Sequence, residues 1–221
     1  MTHHGPHGAG LGDEPSPRRV LHSESVYAGR IWDVVQDTFE LSAGEKPLVR
    51  DYIDHPGAVA ILVLDEDDRV LLVRQYRHPV GMALWEIPAG LLDVEGEDPL
   101  DAAARELSEE ADLTAGRWDV LVEIFNSPGS SSEALRIYLA REPHAVPDHE
   151  LFERTEEEAE MQWRWVPLHE AVEAVLTGRV HNPSAVAGVL AASAARANGF
   201  TGLRPANDPW TAHPRLRSSD G

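Results

Sequence analysis

Apolar positions follow two rhythms along this chain. From Gly57 onward, AVAILVLD and RVLLVRQYR are dense in β-branched and aliphatic residues and predict two strands. The acidic run at 65–68 joins them and reads as a hairpin turn. Upstream, VLHSESVYAGRIWDVVQDTFEL and the shorter PLVRDYI show patches of alternation and predict two more strands. Turn residues stand at Ala28, Gly29 and Arg30 and again at 42–45. Downstream, a loop with His78 and Pro79 leads to ALWEIPAGLLD; WDVLVEIF and LRIYLAR then predict strands around the compact loop NSPGSSSE, and QWRWVPL a last one. A 3.6-residue rhythm replaces alternation at Leu100, Ala103, Ala104, Leu107 and Ala111, predicting a helix from near Pro99. Two further helices are expected at 169–177 and 184–197.

This mixture of strands and helices predicts an α/β/α sandwich with a mixed β-sheet, preceded by a short N-terminal β-rich segment. Residues 1–17 are expected to be a disordered tail, 18–56 the β segment, 57–199 the catalytic domain and 200–221 a peripheral or mobile tail. No internal repeat is visible. With 221 residues, 42% of them hydrophobic, the chain can bury a substantial core.

Composition narrows the chemistry. The absence of cysteine excludes disulfides, thiolate zinc sites and cysteine nucleophiles, and fits a reducing cytoplasm. Every apolar run breaks well before the roughly 20 residues a spanning helix needs. The opening MTHHGPHGAGLGDEPSP lacks the basic and apolar regions of a signal peptide. Thirty-eight acidic against 19 basic side chains give a formal charge of -19, a surface that repels nucleic acid and anionic membranes. It also repels a small anionic substrate unless metal ions or a local arginine reverse the field inside a pocket.

The predicted helix at 99 carries the most informative cluster. Asp98 before Pro99 marks its start, because the carboxylate can cap free N–H groups and proline is tolerated at the first helical position. Glu106 and Glu110 lie one turn apart, with Glu109 three residues after Glu106. Like charges at these spacings destabilise an isolated helix by a few tenths of a kcal/mol per pair. Spacing alone fits a solvated acidic face, with Arg105 as a surface ion-pair partner. The same oxygens would also accommodate a hard divalent ion, since magnesium favours carboxylates, water and substrate phosphates.

With these residues in view, the chain resembles the Nudix hydrolase family, whose box is G-x5-E-x7-R-E-U-x-E-E-x-G-U with U aliphatic. Arg105, Glu106, Leu107, Ser108, Glu109 and Glu110 match its centre, and Glu97 stands the expected seven residues before Arg105. Gly90 matches the first glycine, although six residues rather than five separate it from Glu97; Asp112 replaces the later glycine and Leu113 follows. The resemblance covers roughly residues 57–197, and the N-terminal part resembles the ADP-ribose pyrophosphatase branch. It implies magnesium, or manganese in its place, with two or three ions in the substrate complex. Glu106, Glu109, Glu110 and the Ala89 carbonyl are the implied ligands. It gives Arg105 the role of orienting a helix glutamate, and Glu97 a structural one.

The same branch places a proline where Pro128 stands, 15 residues past Leu113, a signature of ADP-ribose hydrolases within the family. Glu133 matches as well, toward a metal-bound water or the terminal ribose. Read without the family, the Ser-Pro-Gly around Pro128 is an ordinary turn. Arg77, at the end of an apolar strand, has a planar donor array suited to a phosphate oxygen. Arg50 and Tyr52 are expected to help hold the nucleotide from a neighbouring subunit, and Trp85 and Tyr76 serve either the core or base stacking. The family puts the catalytic glutamate in the acidic run at 156–160, with Glu157 the first choice and Glu158 the second; without the family this run reads as solvated acid. The resemblance thus implies hydrolysis of ADP-ribose to AMP and ribose 5-phosphate by a homodimer that exchanges its N-terminal strands. The alternatives are another nucleoside diphosphate sugar, a damaged nucleoside triphosphate, or a non-catalytic module that binds ADP-ribose.

Overall fold

The computed structural model describes residues 10–147, 149 and 161–217, which fall into two compact units, one ending at Tyr52 and the other beginning at Ile53. The N-terminal unit holds a three-stranded sheet in the order β1 (Arg19–Ala28), β2 (Asp33–Glu40), β3 (Leu48–Asp54). The stretch 20–41 forms a hairpin whose turn falls where the sequence places Ala28, Gly29 and Arg30. It folds back at Gly29, whose amide donates to the Asp33 carboxylate at 3.1 Å. Two register shifts, between Val20 and His22 and between Ser25 and Tyr27, bend the outer strand. Residues 10–17 carry no helix or strand.

The second unit is built on an eight-stranded sheet. Its strands are β4 (Ala58–Leu64), β5 (Arg69–Arg77), β6 (Met82–Glu86), β7 (Ala89–Leu91), β8 (Leu113–Phe125), β9 (Ala134–Ala145), β10 (Gln162–Pro167) and β11 (Arg204–Pro205). The main order is β10-β5-β4-β9-β8-β11, with β6 on β5 and β7 on β4. The pairing of β4 with β9 is parallel and the other registered pairs are antiparallel, so the sheet is mixed. Alternation along β4 sends Val59, Ile61 and Val63 to one face, against Ala102, Ala103 and Leu107 of α1 (Pro99–Ala111). Ala60, Leu62 and Leu64 point to the other, against Ala171 of α2 (Leu168–Leu176) and Ala185 and Val189 of α3 (Pro183–Ala197). Because both faces are covered, β4 is buried along its whole length and reads as a continuous apolar run. The architecture is the α/β/α sandwich expected.

Three details differ from the sequence pattern. ALWEIPAGLLD makes two short strands on different neighbours: the chain leaves β5 after Glu86 and joins β4 at Ala89. The strand at WDVLVEIF starts earlier, at Leu113, because β9 continues to Ala145 and supplies ladder partners. The segment after Gly199 is not a peripheral or mobile tail where described. Arg204 and Pro205 pair with β8, and Trp210 and His213 are buried. Among the described residues no helix is long and apolar enough to cross a membrane.

Candidate active site

Helix α1 begins as its sequence demands: the Asp98 carboxylate accepts the Leu100 amide at 2.8 Å, with Pro99 at the first position. The extra residue between Gly90 and Glu97 is absorbed in a turn closed by Glu97 N–H to Val94 O, 3.2 Å. At the far end Asp112 takes the left-handed conformation (φ 53°, ψ 36°), and its amide closes on the Leu107 and Ser108 carbonyls. Asp112 thus does the conformational work of the absent glycine; a short polar side chain tolerates this region better than most.

Arg105 organises the helix surface. Its Nε and Nη2 donate to the two oxygens of Glu97 at 2.9 and 3.0 Å, a two-pronged contact that joins the helix to the preceding loop. Its Nη1 donates to Glu106 Oε1 at 2.7 Å and to Glu109 Oε2 at 3.3 Å. The hydrogen bond from Arg105 holds the Glu97 carboxyl below its ordinary value, and the same carboxylate, with Glu106, pushes the guanidinium further up. Arg105 therefore orients two helix glutamates through one guanidinium anchored on a third.

Two glutamates close on the residues between β6 and β7. A Cβ at Gly90 would overlap the Glu106 carboxyl, so only glycine lets that carboxyl lie against the backbone. Glu110 is buried and its Oε2 accepts the Ala89 amide at 3.0 Å. The Glu110 main-chain carbonyl accepts Trp163 Nε1–H from β10 at 2.8 Å, which ties the end of α1 to the edge of the sheet. Ala89 thus meets the helix through its N–H. Among the described residues no three acidic or histidine side chains converge on one point. What the fold does bring together is Glu106 and Glu110 on one backbone turn, with Glu109 on the shared arginine. Their carboxylate oxygens are the donor chemistry that suits a hard divalent ion.

The other expected residues fall in separate places. Arg77 makes a two-pronged pair with Glu86, Nε to Oε1 at 2.9 Å and Nη2 to Oε2 at 2.7 Å, across the β5–β6 pairing. Glu86 is 2% exposed. Its signal in the sequence is a lone acid between the apolar residues Trp85 and Ile87. Trp85 packs with the core on the α2 and α3 face, opposite α1, with Arg74 5.9 Å from its ring. Tyr76 is half exposed, its hydroxyl 3.4 Å from His78 Nδ1. Arg50 and Tyr52 belong to the N-terminal unit, where Arg50 donates to the Val49 carbonyl and the Tyr52 hydroxyl to Asp37 at 3.3 Å. Glu157 and Glu158 lie outside the described residues.

Pro128 sits in a tight turn in which the Ser130 and Ser131 amides both reach the Ser127 carbonyl, at 2.9 and 3.0 Å. Glu133 is fixed at the base of this loop by Asn126, amide to main-chain carbonyl at 3.0 Å and Nδ2 to Oε1 at 2.9 Å. The loop is tied to the strand end before β4: Ile53 N–H donates to Ser130 O, Ser132 N–H to Ile53 O, and His55 N–H to Ser132 Oγ at 2.8 Å. Burial lowers the pKa of His55, and the nearby Glu133 carboxylate opposes that shift.

Known proteins resemble this chain in sequence and in fold. The NUDIX domain model matches residues 54–186. An ADP-ribose pyrophosphatase of Mycobacterium tuberculosis is 42% identical over 195 residues, covering 88% of this chain and 92% of that protein. Another from Bacillus subtilis is 35% identical over 124 residues, 56% of this chain and 66% of that protein. In fold, a solved ADP compounds hydrolase superposes with a TM-score of 0.61 at 20% identity, over 85% of this chain and 99% of its own.

Proposed function

The chain belongs to the NUDIX family, and we propose on that premise that it hydrolyses the diphosphate of ADP-ribose to AMP and ribose 5-phosphate. The observation that carries this reading is the seating of Glu106 and Glu110 on the turn containing Ala89 and Gly90, with Arg105 aligning Glu106 and Glu109. The identity to the mycobacterial ADP-ribose pyrophosphatase over nearly all of both chains supports the choice of substrate.

Glu106, Glu110 and the Ala89 carbonyl, with Glu109 beside them, would hold magnesium, with manganese as a substitute and two or three ions in the substrate complex. Bound there, such ions supply charge neutralisation of the diphosphate and acidify a water. The chain's own residues do the rest. Arg105 keeps the carboxylates from splaying under mutual repulsion, so the site is ordered before substrate arrives. Water oxygen bonds to one phosphorus and the bridging P–O bond breaks. The water proton passes to Glu157, or to Glu158 if the loop register differs, and the leaving phosphate departs as a product. Arg77, released from or shared with Glu86, would contact a phosphate oxygen. Pro128 and Glu133 shape the ribose side, and Arg50 and Tyr52 the nucleotide side.

The reading includes a two-fold homodimer that exchanges its N-terminal strands. Its support is the run of exposed large apolar residues on β1, Val20, Leu21, Val26 and Tyr27, on a strand with no buried position. It also places the protein in the cytoplasm, in keeping with its lack of cysteine. Mass measurement in solution tests the dimer. For the activity, magnesium-dependent turnover is compared across ADP-ribose, other nucleoside diphosphate sugars and nucleoside triphosphates. AMP and ribose 5-phosphate in equal amounts are expected, abolished by chelation and by Glu106→Gln. Preference for triphosphates would reject the substrate, and binding of ADP-ribose without cleavage would reject the enzyme.

A further inference from the structure

The segment after α3 is packed as a clasp around the strand end that precedes β4. His213 is 1% exposed. Its Nδ1 accepts the Arg215 and Leu216 amides at 3.1 and 3.2 Å, which leaves the ring proton on Nε2. That Nε2 occupies the space a Cβ on Gly57 would fill, beside the Pro56 backbone. Gly57 stands at φ +97°, and its carbonyl accepts the Leu92 amide at 3.1 Å, immediately after β7. Two residues beyond His213, Arg215 Nη2 donates to Asp54 Oδ2 at 2.9 Å. The other oxygen of Asp54 accepts the Ser132 hydroxyl at 3.3 Å.

One short piece of chain therefore touches both halves of the candidate site. Through Gly57 it reaches the end of the turn that seats Glu106 and Glu110. Through Asp54 it reaches the loop carrying Pro128 and Glu133. We infer that His213 and Arg215 are positioning residues that set this loop relative to the metal-side turn, so that the C-terminal segment contributes to substrate affinity without touching substrate. The link to affinity rests on the proposed function; the link to loop position does not.

The test uses the full chain with Arg215→Met, Arg215→Lys and His213→Phe, the last keeping a ring while removing the acceptor for two amides. Amide exchange, measured without any ligand, follows Ser130, Ser131 and Ser132 against the α1 amides. Loop exchange is expected to rise about three- to fivefold in Arg215→Met, the scale of an exposed ion pair, and about tenfold in His213→Phe, with α1 unchanged. Arg215→Lys should restore most of it. In steady-state turnover of ADP-ribose with magnesium, KM should rise by similar factors while kcat changes less than about twofold. Unchanged loop exchange in Arg215→Met overturns the inference, even if His213→Phe fails to fold. Faster loop exchange with unchanged KM overturns its functional half. If the variants change loop exchange but the wild-type protein does not cleave ADP-ribose, the substrate assignment is rejected and the positioning role stands.

Discussion

Two arginines organise the α1 side of the sheet, and they do so by opposite routes. Arg105 draws all its carboxylates from within twelve residues, Glu97, Glu106 and Glu109, and its side chain is about one-third exposed. Arg136 on β9 is almost wholly buried and draws its partners from across the chain. Its Nε donates to Glu123 at 2.8 Å and its Nη1 to the Asp208 carbonyl at 2.8 Å, while its guanidinium stacks 4.8 Å from the Trp210 ring. Glu123 also meets Arg204 at 3.0 Å, so this second network is what pins the C-terminal segment. The first network is local and half-wet, suited to holding carboxylates that must still meet a ligand. The second is remote and dry, suited to holding the fold. A buried charge with few partners is costly to disturb, whereas an exposed one is screened.

That contrast can be broken most directly at Arg136. Arg136→Met should cost about 3 kcal/mol of stability, because Glu123 stays half-buried with one partner fewer, while kcat per folded molecule is preserved. Thermal or denaturant melting with active-site titration checks it, and a change below about 1 kcal/mol would put the two arginines in one class. Arg105→Gln should behave in the opposite sense. Its melting temperature should move little, while magnesium-dependent turnover falls about 10- to 100-fold, the usual effect of removing a residue that orients ligands.

A smaller effect concerns pH. Burial lowers the pKa of His213 below 6.5, so the folded state binds its proton later than the unfolded chain does. Its contribution to stability is then complete above about pH 6.5 and is lost as pH falls toward the folded value. Stability curves for wild type and His213→Phe should converge in slope above that point and separate below it, the variant being flatter. His55, shifted in the same direction, remains in both as a common background. Smallest is Asp112→Gly, which relieves a left-handed non-glycine residue at the end of α1 and should raise stability by about 0.5–1 kcal/mol. A loss of stability on melting would show that the aspartate side chain itself holds the helix end.

The layers and the first helix are written in local patterns. Continuous apolar strands followed by an amphipathic stretch, an Asp-Pro start and glutamates at one-turn spacing are all local patterns, and periodicity or capping chemistry spells them out within a few residues. Of the Arg105 contacts only that to Glu109 was legible for the same reason, since residues four apart on a helix are neighbours; Glu97 reaches it from the preceding loop. The pairing of Glu86 with Arg77 and the packing of the residues after Gly199 into the domain have no such local signal. Each depends on which segment comes alongside: β6 on β5, Trp210 over Arg136. Composition at 204–217 resembles a loose tail because its few apolar residues are matched to partners more than 70 positions away, as with Trp210 and Arg136. Pairing at that range is fixed by the packed sheet, where the entropy of closing long loops is offset by buried contacts and no local signal is needed.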